Sequence, residues 1–109
     1  MPQRITKPTL TLLETVLAEP RRSWYGLELM DCTGLRSGTV YPILHRLTRD
    51  GWLSMHQEEI DPVTEGRPRR RLYMLTGVGE TEAQRELDLR SRRSAHVPRL
   101  ALRPGEARA

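Results

Sequence analysis

A chain of 109 residues holds one modest core and a short appendage, and with 29% charged against 37% hydrophobic residues and no Phe, that core must be mostly Leu, Val and Ile. No stretch reaches the roughly 20 apolar residues of a membrane span, and Met1-Pro2-Gln3-Arg4 lacks the apolar run of a secretory signal, so a soluble cytoplasmic protein with no membrane partner is expected. The net charge of +4 comes wholly from residues 85–109, where seven Arg stand against three acids, while residues 1–84 balance to zero; only local clusters can argue for nucleic acid.

The spacing of Leu10, Leu13 and Leu17, with Val16 alongside, predicts a helix over residues 8–19 with one buried face. Pro8 suits its first turn. Pro20 ends it, because a residue before proline is pushed out of the helical region. Ser23 is the expected cap of a second helix from Trp24 to about Cys32, with Tyr25 and Leu29 one turn apart on its inward side. Gly34 tolerates the left-handed conformation that stops this helix. Cys32 is the one cysteine, which excludes an internal disulfide and a Cys-clustered zinc site; it is expected to be a small apolar filler.

A third helix is predicted over residues 37–50, starting nearer Thr39 than Ser37 because Pro42 belongs close to the first turn. Val40, Ile43, Leu44 and Leu47 form its buried stripe. Ser37, Gly38, Thr39, Tyr41, Pro42, His45, Arg46 and Arg49 fall elsewhere on its surface. Two helices joined by a tight glycine-containing turn make a helix-turn-helix pattern. After Gly51 the period becomes two, with Leu53 and Met55 inward and Ser54 and His56 outward. Residues 61–68 are turn chemistry, and Arg69 to Leu75 returns as a strand with Tyr73 and Leu75 on one face. Thr76 caps a last helix over residues 77–95, with Glu80 and Glu82 near its positive end. Residues 96–109, with Pro98, Pro104, Gly105 and several Arg, are expected to form a flexible basic tail. The fold class is therefore mainly α with a small β-hairpin: a winged helix-turn-helix over residues 8–76, followed by a C-terminal helix.

The predicted third helix is roughly 21 Å long and fits a major groove, where Arg can donate to guanine edges and Thr and Tyr hydroxyls to bases or phosphates. The plainer alternative is a solvated helix face with incidental Arg. At the hairpin, Arg67, Arg69, Arg70 and Arg71 fall within five residues and repel one another without nearby anions, which favours DNA phosphates or a minor groove. A charged edge strand accounts for one or two of them, not four. Glu58, Glu59, Asp61 and Glu65 lie on the opposite arm and are expected to offset the arginines rather than do acid–base chemistry. His45, His56 and His96 show no ligand spacing with each other or with Cys32. Gly77-Val78-Gly79 is too short and wrongly placed for a phosphate loop. No cofactor, metal or enzymatic activity is expected. A winged helix used for protein association, its arginines facing an acidic partner, is the second reading. An RNA-binding module would need an exposed aromatic platform on a sheet, which is missing.

Tyr25-Gly26-Leu27-Glu28-Leu29, Gly38 to Leu47, Asp50-Gly51-Trp52-Leu53, Gly66-Arg67-Pro68-Arg69-Arg70 and Tyr73-Met74-Leu75-Thr76-Gly77-Val78-Gly79 together resemble the PadR family of bacterial transcriptional regulators. The blocks keep the family's order and spacing from about residue 10 to 80. The resemblance implies a winged-helix domain binding double-stranded DNA, a homodimer and repression of a nearby promoter. It assigns the recognition helix to Thr39, Tyr41, Pro42, His45 and Arg46, and the wing to Arg67 through Arg71. It also implies a last helix that packs against the partner subunit, here with only Val78, Ala83, Leu87 and Leu89 as apolar residues. The family's sensors of planar compounds place aromatic side chains near the dimer interface. No aromatic residue follows Tyr73, so nothing in this sequence supports a small-molecule effector.

Overall fold

Proline placement and capping set the element ends in the computed structural model, which describes residues 5–96. Helix α1 runs Lys7–Ala18, with Thr6 as N-cap accepting the Thr9 amide and Pro8 in the first turn. Its buried face is Thr9, Leu12, Leu13 and Val16, whereas Leu10 and Leu17 are half-buried. Apolar residues surround most of this helix, so spacing alone left its rotation open.

The expected second helix begins two residues late. Trp24–Tyr25 is a short strand, β1, and α2 covers Gly26–Thr33. Ser23 is not its cap. Tyr25 takes that place in an extended conformation, and its amide donates to Glu28 Oε1 at 3.0 Å. The other Glu28 oxygen accepts from Arg22 Nη2 at 2.8 Å, and the Arg22 guanidinium lies 3.8 Å from the centre of the Trp24 ring. Gly34, at φ 76°, ends α2 as expected, while Cys32 is exposed and fills nothing.

Helix α3 spans Ser37–Arg49 with Arg36 as N-cap, so it starts before Thr39 and holds Pro42 as its sixth residue. The amide that proline lacks would have bonded the carbonyl of Gly38, which is exposed at the helix mouth and open to water. Val40, Ile43, Leu44 and Leu47 are buried at 0–4% exposure, as their spacing predicts. They meet Leu12, Leu13, Val16 and Leu29, joined by Trp24, Trp52 and Tyr73. Burying each such Leu contributes about 1.5–3 kcal/mol.

Strands β2 (Leu53–Gln57) and β3 (Arg71–Leu75) pair antiparallel, and β1 adds to the other edge of β3, giving the order β1-β3-β2. The sheet thus has one strand more than the expected hairpin. Leu53 is buried, but Met55 is 43% exposed instead of inward, because it faces the cleft beside α3. The connection is not all turn: Pro62–Glu65 forms one helical turn, α4, capped by Asp61 and stopped by Gly66 at φ 71°.

Thr76 closes the hairpin at its base. Its amide donates to the Trp52 carbonyl at 3.0 Å, its hydroxyl donates to the Gly51 carbonyl at 2.6 Å, and the same oxygen accepts from Gly79 at 2.9 Å as the cap of α5 (Gly77–His96). Ala83 of α5 is buried, while Val78 is 61% and Leu89 39% exposed. Residues 97–109, most of the expected basic tail, lie outside the described residues.

Two glycines test this packing. A Cβ on Gly79 would overlap the Trp52 carbonyl, whereas one on Gly38 meets open space. Gly79→Ala is expected to cost ~1–3 kcal/mol and Gly38→Ala to stabilise by about 0.5 kcal/mol. Thermal or urea unfolding of the two variants checks the opposite signs.

Candidate nucleic-acid interface

The buried stripe fixes how α3 is turned about its own axis. At about 100° per residue, Gly38, Pro42, His45 and Arg49 fall opposite Val40, Ile43, Leu44 and Leu47. All four are exposed. Ser37 is exposed at the helix mouth, and Thr39 is half-buried on the flank that also carries Arg46. Arg46 Nη2 donates to the buried Thr9 hydroxyl of α1 at 3.0 Å, so this guanidinium has a partner inside the fold. Tyr41, on the other flank, keeps 46% of its surface exposed but lays its ring edge over Gly26. A Cβ at Gly26 would lie 2.5 Å from Tyr41 ring carbons, which explains a side-chain-free residue at the start of α2.

The four wing arginines, equivalent in sequence, separate in space. Arg67 donates through Nη1 and Nη2 to the two oxygens of Glu58, at 2.7 and 2.9 Å, a forked pair across the hairpin. Glu58 Oε1 also accepts the Arg70 amide at 3.1 Å. Arg69 Nε donates to the Ile60 carbonyl at 2.9 Å. Arg70 stacks its guanidinium 4.3 Å from the centre of the Tyr25 ring. Arg71 is exposed. Among the described residues, neither Arg70 nor Arg71 forms an ion pair.

The hairpin therefore has two electrostatic zones. Where the β2–β3 ladder ends, at Gln57 and Arg71, it carries Arg70 and Arg71 beside the cleft to α3. Its tip carries Glu59, Asp61 and Glu65 around Val63, which is 88% exposed. Asp61 caps α4, accepting from the Thr64 hydroxyl and the Val63 amide, and both bonds hold its carboxyl below the usual carboxylate range. Glu58 is lowered to about 2 by the Arg67 guanidinium, against an opposing contribution from desolvation and with help from the Arg70 amide.

Two exposed residues near this face escaped the sequence reading. Arg36 becomes the N-cap of α3 only because the helix begins at Ser37, and Leu27, 54% exposed, opens α2 beside Tyr41. A second helix starting at Trp24 concealed the position of Leu27. No helix among the described residues is long and apolar enough to cross a membrane, and no group of three metal-ligating side chains gathers there.

The model of the transcriptional regulator PadR-like family matches residues 15–85. A PadR family transcriptional regulator from Eggerthella lenta shares the fold with a TM-score of 0.71 at 20% identity, over 89% of this chain and 87% of that one. The PcaV transcriptional regulator from Streptomyces coelicolor, in complex with its natural ligand, aligns with a TM-score of 0.69 at 26% identity, over 96% of this chain and 68% of its own. A mutant MarR from E. coli has a TM-score of 0.75 at 18% identity, covering 94% of this chain and 70% of that one. No curated protein matches the sequence.

The Glu58–Arg67 pair predicts an acid dependence. A carboxyl whose folded value is depressed stabilises the fold above its unfolded value, and this contribution is lost as pH falls from 4.5 through about 2. Glu58→Gln should flatten the stability profile in that window and leave it parallel to the parent above pH 6. Superimposable profiles from pH 2 to 5 would show that the pair does not hold the wing.

Proposed function

The chain belongs to the transcriptional regulator PadR-like family, and from that premise we propose that it is a sequence-specific DNA-binding repressor acting on an inverted-repeat operator as a dimer. The observation that supports this reading best is an outward helix face, Gly38, Pro42, His45 and Arg49, whose His45 shares a cleft with Arg71, which like Arg70 has no acidic partner among the described residues. The helix enters the major groove. His45 and Arg49 offer donors to base edges, and the small Gly38 lets the backbone approach.

Arg70 and Arg71 hold the neighbouring phosphates, with Arg36 reaching the backbone from the helix mouth. Arg67 and Arg69 act within the wing: they shape it and leave the counting of phosphates to the other two. The acidic tip around Val63 stays clear of the DNA, so the wing grips where its strand ladder ends. Residues 8–76 form the DNA-binding unit, and the helix over residues 77–95 supplies the dimer contact through its exposed Val78 and Leu89. Two-fold symmetry then sets the reading helices about 34–36 Å apart, one turn of DNA. The protein acts in the cytoplasm and needs no cofactor.

Nuclease protection over the protein's own promoter tests the reading: a protected palindrome supports it, and retention by a protein partner alone would reject it in favour of a protein-association module. His45→Ala and Arg49→Ala should each cost ~1–3 kcal/mol on the matched site and relax its base preference. Arg70→Gln and Arg71→Gln should weaken every sequence alike and reduce the slope of log affinity against log salt by about 1 each. Arg67→Gln should leave that slope unchanged, because its charge is already matched by Glu58. An equal loss of slope for Arg67 and Arg71 would refute the division of roles within the wing.

A further inference from the structure

Between α3 and the wing lies a cleft of two adjoining chambers. One, of about 270 Å3, is lined by Tyr25, Gly26, Leu27 and Arg70. The other, of about 230 Å3, is lined by His45, Thr48 and Met55. Tyr41, Arg71 and Tyr73 wall both. All three tyrosines of the chain thus surround a single cleft, and no acidic side chain lines either chamber.

Three observations bear on what such a cleft takes. Arg70 and Arg71 are cations without an ion-pair partner among the described residues, in a protein where Arg21, Arg22, Arg49, Arg67, Arg85 and Arg90 are all matched to carboxylates. An anion therefore fits the first chamber, where a guanidinium suits the oxygens of a phosphate. The aromatic walls suit a flat ring. The exposed His45 imidazole lines the second chamber. A hydrocarbon ring would give it no hydrogen-bond partner. A heteroaromatic ring, with nitrogen and amino groups on its edge, gives the imidazole something to bond.

We propose that the cleft between α3 and the wing binds a purine nucleoside monophosphate, with the phosphate on Arg70 and Arg71 and the base between Tyr41, Tyr73 and Met55. Resting on the DNA-binding reading above, the consequence is exclusion. The same two arginines serve either the bound nucleotide or the operator backbone, so the small ligand releases the DNA by direct competition at the reading face.

Calorimetric titration of the full chain with AMP tests the site without DNA. One AMP per chain is expected, with adenosine and inorganic phosphate each binding at least about tenfold more weakly, since each engages only one chamber. Arg71→Gln should weaken AMP by about tenfold or more, and Met55→Trp, which fills the second chamber from an exposed position, should abolish binding while circular dichroism stays that of the parent. No heat up to roughly 10 mM AMP, equal affinity for adenosine and AMP, or titrations unchanged in both variants would overturn the proposal. With a duplex present, AMP at about nine times its own Kd should raise the apparent duplex Kd about tenfold; simultaneous binding of both would overturn the exclusion. A chain that binds AMP but no duplex defeats the repressor reading and leaves the site standing, whereas one that binds duplex but no AMP defeats the site alone.

Discussion

Four fully or almost fully buried side chains, Val40, Ile43, Leu44 and Leu47, are the constraint from which the rest of the molecule takes its meaning. A helix can slide or roll on a surface unless its apolar stripe is narrow and the opposing face is packed, and here both conditions hold. Rolling α3 by one residue, about 100°, would bring His45 or Arg46 into a core formed by Leu12, Leu13, Val16 and Leu29 and leave a leucine in water. The core therefore specifies which polar residues face outward, although it contacts none of them. Two flank contacts sharpen the setting. Tyr41 lies over Gly26 on one side, and Arg46 reaches Thr9 on the other. Both residues read as DNA contacts in a linear sequence, and in the fold both hold α3 against its neighbours.

The wing is organised by a single carboxylate. Glu58 binds Arg67 through both oxygens and takes the Arg70 amide as well, so one side chain spans the hairpin at the point where the chain leaves β2. That arrangement settles how four like charges coexist within five residues. One is neutralised by Glu58, one is turned onto the Ile60 carbonyl, one is spread over the Tyr25 ring and one points into water. Self-repulsion is relieved by giving each guanidinium a different environment. The cationic charge available to a partner ends up where the β2–β3 ladder gives way to the loop, beside the cleft to α3, and the tip becomes acidic.

The helices and the order of elements were legible because they rest on local signals: stripes of apolar residues, prolines at helix edges, Gly34 at a left-handed stop and Thr76 at a cap. What escaped were features set by residues distant in sequence. Trp24 and Tyr25 became a strand because Tyr73 and Leu72 offer a free edge fifty residues away, which no local pattern around Ser23 reveals. Met55 alternates correctly as a strand residue, yet faces out because its side of the sheet ends at the cleft beside α3. The start of α3 was misplaced by a sound rule: Pro42 does remove a helical hydrogen bond, but the carbonyl affected belongs to exposed Gly38. For the candidate site, the sequence points to one helix and one strand, and the folded chain sets them side by side across a cleft. The partition of their arginines depended on Glu58, Thr9 and Tyr25, which only the folded chain brings near.

A balance of zero charge over residues 1–84 looks at first like an argument against a DNA-binding surface, and the structure explains why it is a poor one. Charges matter to a phosphate backbone over about 8–10 Å at ordinary salt, so the sum over a domain some tens of ångströms across is irrelevant to any one contact. What counts is how the signs are sorted. Glu19, Glu28, Glu80 and Glu86 are held in ion pairs around the rear helices, and Glu58 inside the wing. The remaining wing acids, Glu59, Asp61 and Glu65, gather at the far tip, in and beside the α4 turn. Among the side chains that line the cleft between α3 and the wing, Arg70, Arg71 and His45 meet no carboxylate. Pairing acids with structural cations elsewhere thus has an electrostatic effect here: it leaves a small, locally positive face whose strength comes from the absence of nearby carboxylates rather than from an excess of arginine. Adding a basic residue at the back of the domain would change the net charge and leave this face as it is, while placing one carboxylate beside Arg71 would disable it at unchanged total charge if a lysine were added behind.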